Sequence, residues 1–123
     1  MSDISSINQR IIADVKTMAA SGKRVVFVAG NFNTVHPGHL RLLRFAAKCG
    51  DYLVVGVADD RMPGVMVPQA LRLDGIKAIG FVNCAFVMHA SVEKLIGDLK
   101  PAVVVKGGEH ESHFNPEQAA VDA

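Results

Sequence analysis

Residues His36-Pro37-Gly38-His39 carry the strongest chemical signal in the sequence. Histidines three apart can lie on the same side of a helix's first turn, and proline suits the first helical position. A helix start offers free N–H groups and the positive end of the helix dipole to an anion. Two imidazoles there can donate hydrogen bonds to phosphate oxygens, and Gly38 removes a side chain that could block close approach. The chemistry this suggests is the holding of a phosphate chain. The plainer alternative, a proline-initiated helix with two surface histidines, is less favoured because the motif follows directly on an apolar run, 24–30. Further groups stand after other apolar runs: Asp59-Asp60-Arg61, His89, and Lys106-Gly107-Gly108-Glu109-His110. Asp59 and Asp60 could touch a divalent cation, although acids there more often cap loops and helices. Gly107-Gly108 could admit a nucleobase to the backbone or form a tight turn. His110 and His113 with Glu109 and Glu111 have an unconvincing spacing for zinc and read as solvated loop residues. Arg41 or Arg44 could reach a phosphate, but such arginines are commonly solvated, and His89 reads as a strand-end residue with a local partner.

These groups need elements to position them. Ile4, Ile7, Ile11, Ile12, Val15 and Met18 recur at helical spacing until Ser21-Gly22. Residues 24–30 (RVVFVAG) and 52–58 (YLVVGVA) are valine-rich runs of the kind that form strands covered on both faces. Between them Leu40, Leu43, Ala46 and Ala47 make a helical stripe from Pro37 to a stop at Gly50. Residues 59–67 read as a loop and 68–79 as a helix weakened by Gly75; 84–88 is a third strand. Residues 91–99 form a helix capped by Ser91, 102–106 a fourth strand, and Pro116 opens a possible last helix. Strands alternating with helices predict a three-layer, Rossmann-like α/β fold: a parallel sheet in the order 3-2-1-4 with helices on both faces. In such sheets ligands bind beyond the carboxyl ends of the strands, where the order reverses.

Composition sets the bounds. The chain has 123 residues, half of them hydrophobic, enough for one domain with a real core, 1–123. A formal net charge of +1 lacks the basic excess of a generic nucleic-acid binder. No apolar run of about 18 residues suggests a membrane span. The first six residues lack the pattern of a secretory signal, and Cys49 and Cys84 make no disulfide framework. A cytoplasmic setting is the expectation, with both thiols acting as small buried hydrophobes.

The run Gly30-Asn31-Phe32-Asn33-Thr34-Val35-His36-Pro37-Gly38-His39 resembles the signature of the cytidylyltransferase-like nucleotidyltransferase superfamily. That signature is Gly-Thr/Cys-Phe-Asp, two apolar residues and His-x-Gly-His. The resemblance continues through Gly50-Asp51-Tyr52-Leu53-Val54-Val55-Gly56-Val57 with Asp60, through Arg72, and through Lys100-Pro101 to Lys106-Gly107-Gly108-Glu109. It spans 23–116 and is nearest to the adenylyltransferase domain of ADP-heptose synthase and the glycerol-3-phosphate cytidylyltransferases. It implies that His36 and His39 contact a triphosphate and stabilise the transition state at the α-phosphorus. Gly30, Asn31, Phe32, Asn33, Gly38, Lys106, Gly107, Gly108 and Glu109 would join them in holding the nucleotide. Asp60, Arg61 and Arg72 would serve the acceptor, and Mg²⁺ would bridge the triphosphate, with no dedicated metal residues on the chain.

Departures from the family pattern shape the expected reaction. Asn33 stands for Asp, Asn31 for Thr or Cys, and Glu109 for Asp. The loop 61–67 is shorter than in the heptose enzymes, with Arg61 as its only cation. The family's fifth strand and its Ser/Thr-rich helix start have no counterpart. The chain therefore reads as the N-terminal module of a longer protein, or one covered by a second copy or a fused domain. The favoured expectation is transfer of CMP from CTP to a small anionic acceptor, with 2-hydroxyethylphosphonate, as in fosfomycin-type antibiotic pathways, the suspected one. The alternatives are adenylyl transfer to a sugar phosphate and a nucleotide-binding module without catalysis.

Overall fold

The computed structural model describes residues 3–33, 37–62 and 64–106, with the backbone alone at 3–5 and 106. Eight elements follow one another in these residues: α1 (Asp3–Ala20), β1 (Val25–Gly30), α2 (Pro37–Lys48), β2 (Tyr52–Val57), α3 (Gln69–Lys77), β3 (Cys84–Val87), α4 (Val92–Leu99) and β4 (Val103–Lys106). All strand pairs are parallel and the order is β3-β2-β1-β4, as the alternating pattern predicts. The chain steps outward from β1 to β3, then crosses back to place β4 on the other side of β1. The reversal therefore lies between β1 and β4, beside the loop that leads into α2.

The sheet separates two apolar layers. Val26, Val28, Leu53, Val55, Val57, Val103 and Val105 meet Leu43 and Ala46 of α2 and Ile76 of α3 on one face. Val25, Phe27, Val54 and Phe86 meet Val15 of α1 and Leu95 and Leu99 of α4 on the other. A valine-rich strand is buried on both faces, so a continuous apolar run is the pattern it needs. Phe27 and Phe86 stack across the second layer with centroids 6.4 Å apart.

Local signals set the element ends. Gly22 takes φ +98°, and Lys23 N–H donates back to the Met18 carbonyl, closing α1 where Ser21-Gly22 predicts. Ser91 caps α4 by accepting from Lys94 N–H at 3.1 Å. Helix α3 runs through Gly75 and stops at Lys77, two residues before the expected end, in a turn where Ile79 N–H donates to the Ile76 carbonyl. Along α1 the buried stripe departs from the expectation. Ile7 is 47% exposed, whereas its polar neighbour Asn8 is 3% exposed. The inward face runs through Asn8, Ile11, Ile12 and Val15 because Asn8 has a partner there, described below. Cys49 and Cys84 are both partly exposed, so neither is the fully buried small hydrophobe that composition suggested.

Candidate nucleotide and acceptor site

Strand β1 ends at Gly30, and the chain turns through Asn31, Phe32 and Asn33 towards α2. Phe32 has φ 55°, a left-handed conformation rare for an aromatic residue. The turn sends its ring inward, where it is 2% exposed, back over Gly30 and against His39. A Cβ on Gly30 would stand 3.0 Å from Phe32 Cε2, so glycine leaves the ring its space. The ring centroid lies 5.7 Å from that of the His39 imidazole, tilted by 58°. His39 is 8% exposed, on the buried side of the first turn of α2. Gly38 is half-buried beside it. Thus Phe32 supports a histidine of the motif from beneath, and its side chain belongs to the core. His36 lies outside the described residues.

Asn33 uses both ends of its amide on the loop after β2. Its Nδ2 donates to the Gly64 carbonyl at 2.7 Å, and its Oδ1 accepts from Met66 N–H at 2.8 Å and Val67 N–H at 3.2 Å. A carboxylate could accept those two N–H groups but could not donate to Gly64. This supplies a reason for Asn where the family pattern has Asp.

Beyond β2, Asp59 is buried and accepts from Arg61 through its backbone N–H at 3.0 Å and its guanidinium Nε at 2.9 Å. These hydrogen bonds hold the Asp59 carboxyl below the ordinary carboxylate range, against the opposing pull of burial. The Arg61 side chain is 79% exposed, its guanidinium fixed at one edge and open to solvent elsewhere. Asp60 faces the start of α3. Its Oδ1 accepts from Gln69 N–H at 2.7 Å, while its own N–H donates to Gln69 Oε1 at 3.0 Å. Pro68 gives α3 no side-chain cap, so Asp60 supplies one from nine residues upstream. Both acids thus hold the loop together. Among the described residues no cluster of three His, Cys, Asp or Glu side chains is placed to hold a metal ion.

Arg72, expected at the acceptor, has a fully buried side chain. It donates to the Val67 carbonyl, the Asn31 carbonyl and Asp60 Oδ1, so it faces the two loops from below. Strand β4 delivers the Lys106 backbone next to Ala29 of β1, at the order reversal. Gly107, Gly108, Glu109, His110 and His113 lie outside the described residues.

Between the carboxyl ends of β2 and β3 opens a groove of about 580 Å³. Ala58, Asp59, Arg61 and Met62 line it from β2, and Met88 to Glu93 line it from the β3–α4 connection. The β3 end is held by a residue with no obvious chemistry in sequence. Asn8 of α1 donates to the Val87 carbonyl at 2.8 Å and accepts from His89 N–H at 2.9 Å, as a neighbouring strand would. The signal was an asparagine on the apolar stripe, three and four residues before Ile11 and Ile12. His89 follows the end of β3 as expected, but the partner of its backbone N–H, Asn8, is remote in sequence. On α2, Arg44 lies over the Phe81 ring at 5.4 Å.

Residues 27–122 match the family described as cytidylyltransferase-like. The bifunctional protein HldE of Wolinella succinogenes is 36% identical over 106 residues, and that of Sulfurimonas denitrificans 37% over 113 residues. These matches cover 78% and 84% of this chain but 22% and 23% of the relatives, so the chain spans under a quarter of their length. A solved structure, the lipopolysaccharide core biosynthesis protein from Thermoplasma volcanium GSS1, is similar with a TM-score of 0.65 and 28% identity. That match covers 79% of this chain and 83% of that one.

Proposed function

The chain belongs to the cytidylyltransferase-like family, which its residues 27–122 match, and we propose that it transfers an adenylyl group from ATP to a sugar phosphate. It is a nucleotidyltransferase-like domain, and its HldE relatives belong to ADP-heptose synthesis. Their 36% and 37% identity over most of this chain is the observation that carries the choice of ATP and a sugar phosphate over CTP and a phosphonate.

In this reading the triphosphate lies at the start of α2, against the helix's free N–H groups, with His36 and His39 donating to its oxygens. An oxygen of the acceptor phosphate attacks the α-phosphorus in line. The new P–O bond forms as the bond to the β-phosphate breaks, and pyrophosphate leaves with the electron pair. No protein nucleophile is needed, so catalysis is placement and charge stabilisation. Mg²⁺ arrives on the triphosphate as part of the substrate. Arg61 neutralises the acceptor anion at the mouth of the groove, and Gly107, Gly108 and Glu109 line the base.

One observation favours a second reading. Arg61 is the only cation in 61–67, and the groove wall holds Ala58, Met62, Met88, Ala90 and Val92, which suits a smaller acceptor such as a hydroxyalkylphosphonate. The test is a matrix of four nucleoside triphosphates against heptose 1-phosphate, glycerol 3-phosphate and 2-hydroxyethylphosphonate, followed by phosphorus NMR. ATP with the sugar phosphate is expected to give pyrophosphate and a sugar nucleotide. A CMP–phosphonate anhydride instead would establish the second reading. Nucleotide binding with no pyrophosphate from any pair would make the chain a binding module.

A further inference from the structure

Arg72 is the fourth residue of α3, with its side chain fully buried. Its guanidinium reaches two loops at three points. Nε donates to the Val67 carbonyl at 2.6 Å, Nη1 to the Asn31 carbonyl at 2.8 Å and Nη2 to Asp60 Oδ1 at 3.1 Å. Asn31 lies in the loop between β1 and α2, and Val67 in the loop between β2 and α3. The same two loops are tied a second time, because Val67 N–H and Met66 N–H donate to Asn33. A buried guanidinium is costly unless its N–H groups are satisfied, and here its planar fork spans the junction.

We propose that Arg72 is a positioning residue, which fixes the nucleotide-bearing β1–α2 loop against the acceptor-bearing β2–α3 loop and so sets the line of attack. The proposal rests on the nucleotidyl-transfer reading given above. In-line displacement depends on the mutual placement of two substrates, and an error of about 1 Å can cost about 100-fold in rate. Arg72 touches neither substrate. Its loss therefore leaves each substrate a site of its own and degrades their alignment, which lowers turnover more than binding.

Arg72→Lys tests this, since it keeps the charge and loses the fork. The measurements are thermal melting, calorimetric affinity for the nucleoside triphosphate alone, and kcat and KM for both substrates. Expected is a kcat lower by about 10- to 100-fold, with nucleotide affinity and both KM values changed less than about threefold. Unchanged kcat, or a loss confined to the acceptor KM, would overturn the proposal, the latter because it marks direct acceptor binding. If Arg72→Lys does not fold, Asn33→Ala removes the other tie between the loops, and its kcat is expected to fall while the Met66 and Val67 amides exchange faster. If the wild-type chain releases no pyrophosphate with any pair, the transfer reading fails. Hydrogen exchange then decides the loop coupling separately: Met66 and Val67 amides are expected to exchange at least about tenfold faster in Arg72→Lys. Equal exchange in both proteins would overturn the tie itself.

Discussion

At the scale of single residues, the first loop works by turning an aromatic side chain inward. A left-handed φ costs a non-glycine residue about 1–2 kcal/mol, and burying a phenylalanine side chain returns about 1.5–3 kcal/mol. The balance leaves Phe32 under the His39 imidazole with little net change in stability. Phe32→Leu keeps an apolar side chain in the layer but withdraws the ring face from His39. Pyrophosphate release is expected to fall about tenfold while His39 is still present, with a stability loss of about 1 kcal/mol by melting. An unchanged rate would show that the imidazole needs no support from the ring. The sequence placed Gly30, Phe32 and His39 in one motif but assigned Phe32 to the nucleotide. A positive φ cannot be read from a phenylalanine, because the residue type disfavours it and only the packed loop imposes it.

At the scale of elements, β3 is an edge strand among the described residues, and its outer end is completed by a side chain of α1. Asn8→Ala leaves the buried Val87 carbonyl and the part-buried His89 N–H without that partner. At about 1–3 kcal/mol for a buried unsatisfied carbonyl, a loss of about 1–3 kcal/mol is expected in urea unfolding. Asn8→Asp is expected to recover part of it, since a carboxylate accepts from His89 N–H but cannot donate to Val87. A loss below about 0.5 kcal/mol for Asn8→Ala would show that water replaces the asparagine. The elements themselves were legible. Short valine-rich runs, Gly22 and Ser91 act over a few residues, and parallel order follows from their alternation with helices. Asn8 and Arg72 were not legible in role, because their partners lie 79 and 81 residues away for Asn8 and 41 away for the Arg72–Asn31 contact. Residue type shows that a side chain can donate; only the folded chain shows to what.

For the whole molecule, a net charge of +1 means that single perturbed groups, more than bulk repulsion, shape the response to pH. Asp59 has its folded pKa lowered, chiefly by the Arg61 side-chain hydrogen bond. Its contribution is present above the unfolded carboxylate value and is lost as pH falls through the lower folded one. Cys84 behaves oppositely, with burial pushing its thiol from 9.0 up to about 11. A raised pKa means the folded state keeps a proton that the unfolded state releases, so stability declines as pH rises from 9.0 towards about 11. Urea unfolding across pH is expected to show a neutral plateau with a decline at each end. Asp59→Asn should flatten part of the acid limb and Cys84→Ala part of the alkaline one. An alkaline limb identical in Cys84→Ala would assign it to other groups.

The ties made by Asn33 and Arg72 also bear on how such a protein can acquire a new acceptor. The β2–α3 loop carries Arg61 at the groove, so it is the natural segment to exchange when substrate preference changes. Yet its backbone is bound at Gly64, Met66 and Val67 by Asn33, and at Val67 by Arg72. A loop transplanted from a relative arrives without the residues that held it there. On the transfer reading proposed above, the unit that sets acceptor choice is therefore a discontinuous one, made of the loop, one residue upstream and one downstream.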